Sequence, residues 1–349
     1  MKKTLFISLS LITGILIFLL SCKSEKKPEI LENDILQPIV RFDKILLEMD
    51  TSNMRAEFDT LAKQYPYFMD VYFLNVLPIP GYESKTDSFF ILLKGFINDP
   101  ATREVARLVN KQYVDFNAET DDLIGAFNNA KTWFPEIKTP NIYTFISEFS
   151  YQRFIFEDGE KDGLAIGLDL FLGKDFEYAR LEQGTNTFAN YLTRSFDSDH
   201  LLKKTMDAWI EDQMGLQSGN RLIDHMAYNG KKLYLLDQII EENDSILLEY
   251  SAKQMDWLKN NELELWSFFF ENDWFYTTDQ YVVKRLVYPA PNTTAIGMPA
   301  AAPGNTGTYL GYKIVQSYMK RYPETDFKTL MSIDGQQLLE LSKFKPARN

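Results

Sequence analysis

Apolar positions recur with a period near 3.6 along most of the chain, which predicts a mainly helical protein. In "IVRFDKILLEMD", Phe42, Ile45, Leu46 and Met49 fall on one helical face. The next segment places Phe58, Leu61 and Ala62 together until Pro66 interrupts it, and Pro78 and Pro80 end it. "TDSFFILLKGFINDPATREVARLVNKQYVDF" reads as two helices broken at Asp99-Pro100, with Asp99 as N-cap and Pro100 as the first helical residue. A further helix gathers Leu123, Ile124, Phe127 and Ala130 and is closed by Pro135. From Asp199 the helical period resumes: Leu202, Met206, Trp209 and Ile210 make a stripe behind an N-cap at Ser198 or Asp199. Leu222, Ile223, Met226 and Ala227 begin the next helix, and Leu233, Leu236, Ile239 and Ile240 carry it past Gly230. An aromatic-rich helical stretch follows, then a Pro/Gly/Ala loop over 288–309, a helix with Leu310, Ile314, Val315 and Tyr318 inward, and a short final pair.

One interval changes period. "NIYTFISEFSYQRFIF" is β-branched and aromatic, the acidic turn "EDGEKDG" follows, and then "LAIGLDLFLG". This predicts a β-hairpin. Asp158, Glu160 and Asp162 raise the question of calcium, but they read as the solvated turn of this hairpin rather than as a calcium loop. The fold class expected is α+β, predominantly helical with a small central hairpin or sheet.

The first residues read differently. Lys2 and Lys3 precede an apolar run from Leu5 to Leu20, then Ser21, then Cys22, the one cysteine of 349 residues. Basic start, apolar core and small residue form an export signal. The run is short for a membrane span, which needs roughly 20 apolar residues, and an uncleaved anchor stays open. Residues 1–21 are therefore expected as signal, 22–38 as a tether, and 39–349 as one globular α-rich domain. Cleavage between Ser21 and Cys22 removes Lys2 and Lys3 and takes the formal charge from −12 to −14. That balance argues against nucleic acid as a partner and against electrostatic docking on anionic lipid. A lone cysteine also excludes an intramolecular disulfide.

Familiar catalytic patterns are missing. His200 and His225 stand 25 positions apart and neither opens HExxH; no nucleophile elbow, P-loop or dinucleotide fingerprint occurs. No catalytic residue, metal ligand or cofactor is assigned. A candidate pocket is drawn around His225, Asn229, Gly230 and Lys231, where "YNGKK" breaks a helical period. A helix-interior glycine costs about 1 kcal/mol relative to alanine. Close helix packing and a backbone opening onto a pocket are its two readings, the first preferred. Aromatics, 14% of the chain, read mainly as core.

Leu19-Leu20-Ser21-Cys22 resembles the lipobox of bacterial lipoproteins, in which the cysteine thiol and the new amino terminus are acylated. Together with "GLAIGLDLFLG", "LIDHMAYNGKKLYLLD", "NELELWSFF" and "PGNTGTYLGYKIVQSYM", the chain resembles the gliding-motility lipoprotein GldB family. The resemblance implies an envelope protein held to a membrane by lipid on Cys22, facing the periplasm, on either the inner or the outer membrane. It also implies partners in the gliding machinery linked to type IX secretion. The layout is similar, further, to helical zinc-metallopeptidase-like proteins that carry HExxH on the helix after the strand and a glutamate on a later one. Here that helix reads "HLLKKTMDAWIEDQM", and Asn229 stands before Gly230. The implied protein is a peptidase-like scaffold without the motif, a non-catalytic binding or assembly component. It would present a groove between the hairpin edge, "YNGKK" and the long loop. An atypical hydrolase and a glycan- or peptide-binding lipoprotein are the alternatives.

Overall fold

The computed structural model describes residues 38–346, apart from Gln183, Asn292, Thr294 and Ile296. The signal, the Ser21-Cys22 boundary and residues 22–37 of the tether lie outside the described residues. Strand β1 (Val40–Arg41) leads into α1 (Phe42–Leu47), α2 (Met54–Gln64) and α3 (Pro66–Val71), which runs on as a π-turn over Tyr72–Val76. Helices α4 (Asp87–Asn98), α5 (Pro100–Gln112) and α6 (Asn117–Ala130) follow, then strands β2 (Asn141–Phe145), β3 (Arg153–Asp158) and β4 (Lys161–Gly167). Short α7 (Asn190–Thr193) precedes long α8 (Leu201–Met214) and α9 (Leu222–Ile240). The remainder is α10 (Asp244–Leu248), α11 (Ala252–Asn260), α12 (Glu262–Glu271), α13 (Gln280–Val287), α14 (Thr306–Arg321), α15 (Phe327–Ser332) and α16 (Gly335–Ser342). Among the described residues the fold is α+β: sixteen helices around one four-stranded mixed sheet.

The small central sheet expected from the sequence has four strands and includes the predicted hairpin. Its order is β1-β2-β4-β3, with β1 and β2 parallel, β2 and β4 parallel, and β3 and β4 antiparallel. The hairpin itself is β3–β4, joined by Gly159-Glu160, with Gly159 at φ +75 as tight loops require. "NIYTFISEFSYQRFIF" supplies two strands rather than one, because Ser147 to Tyr151 form a turn organised by buried Asp169. That carboxylate accepts the amides of Ser147 (3.0 Å) and Phe149 (2.7 Å). Burial raises the Asp169 carboxyl to about 6, against those hydrogen bonds. Strand β4 is central and buried from Gly163 to Gly167, so it reads as a continuous apolar run rather than an alternating one.

Side-chain alternation then assigns the two faces of β3. Phe154 and Phe156 join Tyr143 and Phe145 against α3, where Phe68 stacks on Tyr143 at 4.5 Å. Arg153 and Ile155 face the other way, toward α8. Helix limits follow their caps. Asp99 accepts the amides of Ala101 and Thr102 at the start of α5. Before α8 the capping residue is Asp197, which accepts the His200 amide ahead of a 3-10 turn, rather than Ser198 or Asp199. In α6 the buried face is Leu123, Ala126, Phe127 and Ala130, and the 100° step per residue leaves Ile124 exposed. Helix α14 begins at Thr306, inside the stretch read as loop.

Helix α9 runs unbroken through Gly230 and packs on α14, α8, α6 and α16. At the α9–α14 crossing two glycines meet. A Cβ on Gly230 would lie 2.4 Å from the Gly311 carbonyl group, and one on Gly311 would lie 2.0 Å from the Met226 carbonyl oxygen. Close packing is thus the reason for Gly230.

Candidate functional site

Helix α8 is buried on nearly all sides, yet it carries "KKTMD" where an enclosed helix is normally apolar. Lys203, Lys204 and Asp207 are each at most 8% exposed. They converge with Arg153 of β3, Lys232 of α9 and Glu249 on one wall of a cleft of about 520 Å³. The opposite wall is Tyr288 to Ala290 and Gly304-Asn305, the two ends of the loop between α13 and α14. That loop closes on itself through the Thr293 amide and the Ala302 carbonyl.

Buried charge has to be compensated, and the cleft does this with a network. Lys203 Nζ and Lys204 Nζ donate to the two oxygens of Glu249 at 2.6 and 2.9 Å, and Ser195 Oγ adds a third bond at 2.8 Å. Glu249 occupies the left-handed C-cap of α10 (φ 54), a position that favours glycine or asparagine. Asp207 lies 3.3 Å from Arg153 and 3.4 Å from Lys232, which also donates to Glu211 at 2.8 Å. Burial alone would raise both carboxyls. Lys203, Lys232 and Arg153 outweigh it for Asp207 and bring it to about 2. Lys203 and Lys204 likewise hold Glu249 well below the carboxylate range. Burial lowers the Lys204 ammonium despite Glu249. For Lys232, Asp207 and Glu211 overcome burial and raise it.

The four residues singled out from the sequence divide. Asn229 lines the cleft and donates to Thr308 Oγ1 at 3.0 Å. His225 lines a shallower depression beside it, together with Asn229 and Tyr228, and burial lowers its imidazole. Gly230 faces α14, and Lys231 points into the C-terminal helices, where Nζ donates to the Ile333 carbonyl at 2.5 Å. Burial pushes Lys231 down to about 8. Its unfolded counterpart titrates near ~10.4, so between those values the unfolded chain binds more protons and stability rises with pH. We therefore expect the stability of wild type relative to Lys231→Met to increase from pH 8 to pH 10. Urea midpoints at matched pH read it, and a pH-independent difference would contradict it.

Sequence reading missed Lys203, Lys204, Asp207, Arg153 and Glu249 as a constellation. The available signal was Lys203 and Asp207 at i and i+4 in line with Ile210 and Met214 on a helix that also buries Trp209. Each tryptophan is buried or partly buried, Trp209 fully. Among the described residues, no group of three or more His, Cys, Asp or Glu is arranged to hold a metal ion, and no helix is long and apolar enough to cross a membrane. No curated protein and no solved structure matches the chain. The model of the gliding motility protein GldB family matches residues 23–346, and the chain belongs to that family.

Proposed function

We propose that this protein is a lipid-anchored envelope component of the gliding apparatus that works by binding, without catalysis, through the cleft between α8 and α9. Family membership ties the chain to gliding motility. The observation that carries the finer reading is the content of α8. It follows the sheet, as the metal-bearing helix of the zinc-peptidase resemblance would, but offers two buried lysines and one aspartate already engaged by three cations. A divalent cation there would face ammonium groups within the same low-dielectric space, which opposes its binding. That charge pattern supports reading the cleft as a recognition site, with other proteins of the machinery as partners. Location follows from Cys22: two or more acyl chains make a stable anchor, and a net-acidic domain is not otherwise drawn to an anionic bilayer.

A deletion strain complemented with wild type or Cys22→Ser tests this. Deletion is expected to stop colony spreading. Cys22→Ser protein is expected in the soluble fraction, without restoring spreading. A deletion strain that glides normally removes the gliding role, and Cys22→Ser protein that stays in the membrane pellet removes the lipid anchor.

A further inference from the structure

Strand β3 is the outer strand of the sheet, and its far side is open. The Gly167 amide donates to the Gln152 carbonyl at 2.8 Å, and Arg153 stands opposite Ile166. In an antiparallel ladder this phase turns the main-chain groups of Phe154, Phe156 and Asp158 toward β4, and those of Arg153, Ile155 and Glu157 away from it. Among the described residues, no main-chain hydrogen bond engages the outward three. Sheet edges are usually covered or blunted, because a free row of amides and carbonyls templates pairing with another chain.

The depression beside the cleft runs along this edge. It encloses about 850 Å³, with Gln152, Arg153 and Ile155 on its sheet side and Ala208 of α8 facing them. Leu216 and Tyr288 stand at its rim, 99% and 55% exposed, so two large apolar groups there are left to solvent.

Charge at one end of the edge defines the occupant. Glu157 and Asp162 lie directly opposite each other across the hairpin, where like charges weaken a sheet. Alternation puts both side chains on the same face as Ile155. Asp212, near the end of α8, is close enough that Asp162 adds to burial in raising its carboxyl. Among the described residues, no ion pair joins any of these three carboxylates to a lysine or arginine. Arg153 is turned to Asp207, and Lys232 to Asp207 and Glu211. A second copy of this chain, with a formal charge of −12, would add to the negative charge. A basic segment would supply the missing countercharge.

We propose that the free edge of β3 takes up an extended segment of a partner protein as an added strand, with a lysine or arginine of that segment seated among Glu157, Asp162 and Asp212. Main-chain bonds to Arg153, Ile155 and Glu157 would hold it, and alternate side chains would enter the depression against Ile155 and Ala208. The proposal rests on the reading of this face as a recognition site and names the form its partner takes.

The test is fluorescence anisotropy with the full chain in detergent at constant ionic strength. The probe is fluorescein-Lys-Val-Thr-Val-Lys-amide, which presents a lysine to the acidic end in either direction. It is expected to bind saturably, and the same peptide with glutamate for lysine at least tenfold more weakly. Two further peptides carry N-methyl groups on the second and fourth amides, or on the third and fifth. An added strand turns only one of these sets toward β3, so one peptide is expected to lose at least tenfold and the other less than threefold. Glu157→Gln with Asp212→Asn, both at exposed residues, is expected to weaken the parent peptide at least threefold with an unchanged thermal midpoint. Equal behaviour of the two N-methyl peptides, equal binding of the glutamate peptide, or no binding overturns the proposal. A sedimenting dimer that excludes the peptide gives the edge to a second copy and overturns it too. Each of these results leaves the gliding role standing. Cleavage of the peptide would instead overturn the non-catalytic reading.

Discussion

Gly311→Ala destabilises the protein by about 3 kcal/mol, at the upper end of overpacking costs. Inside a helix the same change ordinarily gains about 1 kcal/mol, so the sign distinguishes packing from propensity. The new Cβ would fall 2.0 Å from the Met226 carbonyl oxygen, a backbone atom that cannot rotate away. Relief requires α14 to move off α9, and α9 also packs on α8, α6 and α16. Gly230→Ala strikes the Gly311 backbone from the other side. Because either change separates the same pair of helices, the double variant is expected to lose less than the sum of the two. Urea unfolding with constant slope measures all three. A Gly311→Ala protein as stable as wild type would show that the crossing is looser than described.

Glu249→Gln is the second large effect, a loss of about 3 kcal/mol at pH 7, in line with breaking a buried ion pair from one side. The neutral amide would leave Lys203 and Lys204 buried at 6% and 8% exposure with their shared countercharge gone. The pH dependence supplies the check. The folded Glu249 carboxyl is held well below the ordinary range. Its contribution is therefore complete above the unfolded value of ~4.3 and fades as pH falls below that toward the folded value. The gap between wild type and variant should be widest near neutrality and shrink below about pH 4. A gap that stays constant from pH 7 to pH 3 would place the loss elsewhere than in the charge.

The helices were legible because their periodic faces are buried as written: Leu222, Ile223, Met226, Leu236 and Ile239 are all at most 1% exposed. Asp99-Pro100 was legible because cap chemistry is local. Strand β1 and the separation of β2 from β3 were not. Strand β1 is two residues long and is defined only by its pairing of Val40 with Tyr143 and Arg41 with Thr144, about a hundred residues on. No local pattern encodes that. The cleft was half legible. "YNGKK" and the long loop do border it, through Asn229, Lys232, Tyr288 and Asn305. Its chemistry stayed hidden because Arg153, Lys203 and Glu249 come from three separated segments, and each alone reads as an ordinary charged surface residue. Gly230 was legible as a close-packing glycine inside a continuing helix, and its crossing with Gly311 is that packing.

Were the chain held by the lipid proposed on Cys22, strand β1 would have a mechanical consequence. A pull transmitted along the polypeptide arrives at Val40, where a two-residue ladder would peel at small force. The next residues prevent it from acting alone. Arg41 is clamped by Asp43 at 2.7 Å and by the Tyr113 carbonyl at 2.9 Å, and Phe42 is wholly buried with its ring edge-on to Phe68 and Tyr72. Tension would thus pass from the strand into the aromatic cluster beneath the sheet, which behaves as a plug seated in the fold rather than a strap laid along its edge. The cleft lies across the sheet from that plug, so traction on an N-terminal anchor would reach the cleft last.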